Sequence, residues 1–125
     1  MEKQRESSRY EAGLETLITV DGLIGPEITQ QLGDLGKYIV EFAFGDIYRR
    51  ENLALRDREM ITVAILTVLG RESQLQVHLQ GALNVGVSPE ELKETVIQTV
   101  PYAGFPTAIN AMRILQELLE KHTAE

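Results

Sequence analysis

Between Met60 and Leu69, eight of ten residues are apolar, and only Thr62 and Thr67 interrupt them. A helix that is apolar on nearly every side is expected to be buried, and this run is too short to span a bilayer. Charged Arg58 and Glu59 stand at its entrance, and Gly70 ends it. A second, polar helix follows and carries a lone histidine, His78. The expected centre of the fold is therefore an antiparallel helical hairpin, Arg56 to Leu69 against Glu72 to Asn84.

That hairpin has a measurable consequence. Glu59 lies eleven residues before Gly70 and His78 eight residues after it. At the rise of an α-helix these separations are about 16 Å and about 12 Å, so the two side chains fall within about one turn of the same level. A carboxylate and an imidazole are thus expected to face each other at the edge of the core.

At 125 residues the chain is long enough for one domain with a core that needs neither disulfides nor metal. The absence of cysteine removes disulfides, thiolate metal sites and every cysteine-based mechanism. A net charge of −7 argues against nucleic-acid and anionic-membrane partners. The N-terminal stretch MEKQRESSRYEAG is polar and mixed in charge, unlike a secretory signal, so the expected location is the cytoplasm.

In chain order, Glu2 to Val20 reads as a first helix with Tyr10, Leu14, Leu17 and Ile18 on one face. Gly22, Gly25 and Pro26 break the chain. A single second helix is expected from Pro26 to about Phe44, burying Ile28, Leu32, Leu35, Ile39 and Phe42. Ser88-Pro89-Glu90-Glu91 is a capping box, and it opens a helix through Val100 with Leu92, Val96, Ile97 and Val100 inward. A last helix is expected from Pro106 to about His122, with Ile109, Met112, Leu115 and Leu119 as its stripe. The fold class is all-α, with about six helices.

Several residues carry chemistry with two readings each. Tyr48, Arg49 and Arg50 sit in the connector Gly45 to Leu55, either as a solvated loop or as an anion-binding element, since guanidinium groups suit carboxylates. Glu59 either complements the helix dipole or acts as a functional carboxylate paired with His78 or an arginine. His78 keeps polar company in Arg71, Gln74 and Gln80, and is either structural or a proton-transfer group. The segment PYAGFP, Pro101 to Pro106, imposes a sharp bend that holds Tyr102 and Phe105. It forms either an aromatic-filled corner or a pocket wall.

Taken together, YRRENLALRDREMITVAILTVLGRESQLQVHLQGALNVGVSPEEL and the later PYAGFPTAINA resemble the carboxymuconolactone decarboxylase family. The elements that carry the resemblance are Arg58-Glu59, the His-x-x-GALN run from His78 to Asn84, and YAGFP from Tyr102 to Pro106. It extends from about Tyr10 to Leu119. It implies an all-helical protein that assembles as a homo-oligomeric ring, a hexamer built as a trimer of dimers. The related alkylhydroperoxidases use a glutamate, a C-x-x-C pair and a histidine. Here Glu59 and His78 match the ends of that pattern, while Arg71 and Gln74 stand at the cysteine positions. Thiol peroxidase chemistry needs a thiolate and a resolving thiol, so it is excluded.

The resemblance implies conversion of 4-carboxymuconolactone to the enol-lactone of 3-oxoadipate, a step of aromatic catabolism. Such a decarboxylation needs no metal or organic cofactor when the substrate itself delocalises the electron pair left behind. It needs carboxylates held, developing charge stabilised and a proton delivered. His78 and Glu59 are the expected catalytic pair. Arg49, Arg50, Arg58 and Arg71, with Tyr48 and Tyr102, are the expected substrate-binding groups. The alternative from a different class is a helical oligomer that keeps the scaffold without the activity.

Overall fold

The computed structural model describes the backbone of residues 2–124 and the side chains of residues 8–123. Among these there are seven α-helices, one π-helical segment and no strand. The chain forms two compact units, residues 1–55 and 56–125. Among the described residues, no helix is long and apolar enough to cross a membrane.

The first unit contains α1 (Glu2–Asp21), α2 (Ile24–Gln31), α3 (Asp34–Tyr38) and the π-helical segment Ile39–Ile47 that continues α3. Its core is Leu17 and Val20 of α1 against Val40 and Phe44 of the π segment. The two backbones approach so closely that a Cβ on Gly13 would lie 2.0 Å from the carbonyl oxygen of Val40. Only glycine fits there. Arg9 closes the same contact from outside, donating from Nη2 at 2.6 Å and from Nε at 3.2 Å to the two carboxylate oxygens of Asp46.

The single helix expected from Pro26 to Phe44 is broken. Gly33 takes a φ of +61°, a left-handed conformation that ends one helical run and starts another. The expected buried stripe is also turned outward, because Ile28, Leu32, Leu35 and Phe42 are exposed. The inward face instead carries Thr29, Gly36, Val40, Glu41 and Phe44. The periodicity is helical, but among the described residues the face it marks is mostly exposed.

The second unit contains α4 (Leu55–Leu69), α5 (Glu72–Asn84), α6 (Pro89–Ala103) and α7 (Phe105–Ala124). Leu75, Leu79, Leu92, Val96 and Leu115 form its core with Val63, Ala82, Ala108 and Ala111. Each of the large side chains contributes roughly 1.5–3 kcal/mol relative to exposure. The capping box at Ser88 forms as expected: Ser88 Oγ accepts from the Glu91 backbone, and Glu91 Oε1 accepts from the Ser88 backbone.

The run Met60–Leu69 is not buried all round, which corrects the expectation for it. A helix has one inward face, here Glu59, Val63 and Thr67 at four-residue spacing. Ile61, Ile65 and Val68 point away and are exposed. Ile97 and Ile109, expected inward, are exposed for the same reason. At the PYAGFP corner the helix ends at Gly104, and neither aromatic fills the bend: Tyr102 is 86% exposed and Phe105 is also outside.

Candidate active site

The turn at Gly70 reverses the chain, with Gly70 N–H donating to Thr67 O and Arg71 N–H to Leu66 O. α4 and α5 leave this turn in opposite senses, as the spacing predicts. Glu59 then meets His78. Nδ1 of His78 lies 3.0 Å from Oε2 and 3.3 Å from Oε1 of Glu59. Glu59 has no solvent exposure, whereas the His78 side chain is 20% exposed. A carboxylate taken wholly out of water requires a charge or hydrogen-bond partner, and the imidazole supplies one. An ionised Glu59 would accept this hydrogen bond from a protonated Nδ1.

The other expected site residues are dispersed. Arg58 is half-buried beside Glu59 on α4, and its carbonyl accepts from Thr62 Oγ1 at 2.8 Å. Arg71 is exposed at the start of α5, seven residues and so about 10 Å along the axis from His78. Tyr102 projects into solvent at the end of α6. Tyr48, Arg49 and Arg50 belong to the first unit. There Tyr48 packs its ring 4.9 Å from that of Phe44, and both arginines are exposed.

Two features escape a reading of the sequence. Arg56 donates to Glu91 Oε2, so the capping carboxylate of α6 is also bonded to the first turn of α4. That hydrogen bond, followed by the one from the Ser88 backbone, lowers the Glu91 carboxyl from 4.5 to about 2, and Glu91 in turn raises the Arg56 guanidinium. Gln80 donates to Asn84 Oδ1 at 2.9 Å and lies 2.8 Å from Nε2 of His122, joining α5 to the end of α7. Gln80 and Asn84 are four apart, a spacing that signals the first bond but not its extension to α7. Among the described residues, no group of three histidine, aspartate or glutamate side chains is arranged to hold a metal ion.

The model of the carboxymuconolactone decarboxylase family matches residues 33–117, which include both Glu59 and His78. The chain belongs to this family. It is 33% identical over 122 residues to a 4-carboxymuconolactone decarboxylase of Acinetobacter baylyi, covering 92% of this chain and 90% of the relative. It is also 31% identical over 83 residues to a nitrosuccinic acid decarboxylase of Metarhizium robertsii, covering 65% of this chain and 57% of that relative. These family relatives carry decarboxylase names, and neither name invokes thiol chemistry.

Proposed function

We propose that this protein is a decarboxylase acting on a small carboxylated lactone, with conversion of 4-carboxymuconolactone to the enol-lactone of 3-oxoadipate as the type reaction. The observation that carries this reading is the fully buried Glu59 held 3.0 Å from Nδ1 of a partly exposed His78. A buried carboxylate beside one ring nitrogen orients the imidazole and helps to fix its tautomer.

The bond between the ring carbon and its carboxylate breaks, CO2 departs, and the electron pair moves into the unsaturated lactone. His78 delivers a proton to the carbon alpha to the lactone carbonyl, so that the double bond comes to lie at the carbon that lost CO2 as in the enol-lactone, and solvent returns a proton to the ring. The electron sink belongs to the substrate, so the chemistry calls for no added cofactor. The relatives' names support this logic. A lactone and a nitro group are both acceptors that stabilise the pair left by a departing carboxylate. Of the arginines, Arg58 and Arg71 share the unit of His78 and are the first candidates for holding a substrate carboxylate. Tyr102 is a candidate for an added hydrogen bond.

The same reading makes the protein a homo-oligomer, a hexamer assembled from dimers. It is supported by the exposed apolar faces Ile28–Leu32–Leu35 and Ile61–Ile65–Val68, which a lone chain leaves in water. The deciding experiment is CO2 release by pure protein from 4-carboxymuconolactone, with nitrosuccinate assayed in parallel. Turnover of the lactone is the expected result. Absence of CO2 from both compounds, with protein of full helical content, would refute the decarboxylase.

A further inference from the structure

Two exposed surfaces of this chain match each other in chemistry. The first is a groove of about 500 Å³ between α4 and α6. Met60, Ile61 and Ala64 supply its apolar wall, and Glu90 and Glu94, one turn apart on α6, stand exposed at its rim. The third rim carboxylate, Glu91, is already engaged by Arg56 and Ser88. Neither Glu59 nor His78 lines this groove, and its carboxylates repel a small acidic substrate.

The second surface is the turn from Ile47 to Leu53. Arg49 and Arg50 form the only pair of adjacent cations in the sequence. Both are exposed, and Ile47 and Leu53 flank them with exposed apolar side chains. Glu51 follows the pair, so the turn carries a net single positive charge on an otherwise acidic chain.

We propose that the groove between α4 and α6 is the docking site for the Ile47–Leu53 turn of a second copy of this chain. The turn's Ile47 and Leu53 cover Met60, Ile61 and Ala64, and its arginine pair faces Glu90 and Glu94. This deepens the homo-oligomer reading above and rests on it. With a charge of −7, two copies repel overall, and a cationic element meeting an acidic rim offsets that repulsion locally. An apolar centre edged by complementary charge is the ordinary composition of such a contact. Groove and turn are different surfaces, so the contact is head-to-tail and generates a ring when its rotation closes. It also assigns Arg49 and Arg50 to assembly and leaves substrate binding to other cations.

The test reads association and needs no substrate. Sedimentation velocity is run on the unaltered protein, on Arg49→Glu with Arg50→Glu, on Glu90→Arg with Glu94→Arg, and on an equimolar mixture of the two variants. Each reversal alone is expected to weaken self-association at least about tenfold, and the mixture to restore it. Where a reversal lowers helical content, Arg49→Gln with Arg50→Gln replaces it, with the same weakening expected. A monomeric unaltered protein removes the oligomer reading and this contact together. An oligomer that ignores both reversals, or a mixture that fails to recover, overturns this contact alone and leaves the oligomer seated on another face.

Discussion

Glu59 and His78 are nineteen residues apart in sequence, yet Oε2 of the first lies 3.0 Å from Nδ1 of the second. One partner is sealed from solvent and the other is partly open to it. In the proposed reaction that asymmetry makes Glu59 the positioning group and His78 the group that exchanges protons. It gives the two residues different and testable roles.

His78→Gln keeps a hydrogen-bonding side chain toward Glu59 but removes the proton donor. With a substrate that the unaltered enzyme turns over, kcat is expected to fall by at least about 10²-fold. Circular dichroism and sedimentation should match the parent. Parental turnover by this variant would reassign His78 to structure.

Glu59→Gln should also lower kcat, by roughly 10- to 10²-fold, because the ring loses the partner that fixes its tautomer. The decisive measurement is the double variant. If Glu59 acts through His78, changing both residues costs little more than changing His78 alone. Additive losses would mean that Glu59 serves the reaction independently.

Acid should loosen the contact between α4 and α6 in a defined window. The Glu91 carboxyl is depressed from 4.5 to about 2 in the folded chain, so its contribution to stability is complete above about 4.5 and is lost as pH falls toward about 2. The sign follows because the unfolded chain takes up the proton first. Arg56→Gln removes the main cause of the depression, and the dependence of the urea midpoint on pH in that window should shrink. An unchanged dependence would show that the pair contributes nothing to folding.

Gly13→Ala is expected to destabilise the first unit by about 1–3 kcal/mol, although alanine is the better helix former. The added methyl would have to displace the Val40 carbonyl that lies 2.0 Å away. A urea midpoint at or above the parent's would contradict the close packing of α1 on the π segment.

The parts of this fold legible in the sequence are those fixed by local geometry. Counting residues from Gly70 placed Glu59 and His78 at one level, because helical rise is constant. The Ser88 box announced the start of α6, because all its bonds fall within four residues. Burial was less accessible. The stripes at Ile28–Leu32–Leu35 and Ile61–Ile65–Val68 state that a face is apolar, and they are silent on whether its neighbour lies in the same chain. The break at Gly33 was hidden because the apolar period runs through it, while the φ of +61° that makes the break leaves no trace in that period. The bond from Arg56 to Glu91 spans 35 residues, and nothing local announces it.

The two faces of α4 have a consequence for how relatives can diverge. Glu59 looks inward to His78, and its neighbour Met60 lines the outer groove. One inserted or deleted residue turns everything beyond it by about 100° and shifts it by about 1.5 Å. A change of length between Glu59 and Thr67 would therefore rotate the Val63 and Thr67 face out from under Glu59. The same event in the turn before Leu55 leaves the helix intact. Insertions and deletions should be purged from α4, even where its individual side chains are free to vary. For this helix, inheritance constrains the count of residues more tightly than their identity.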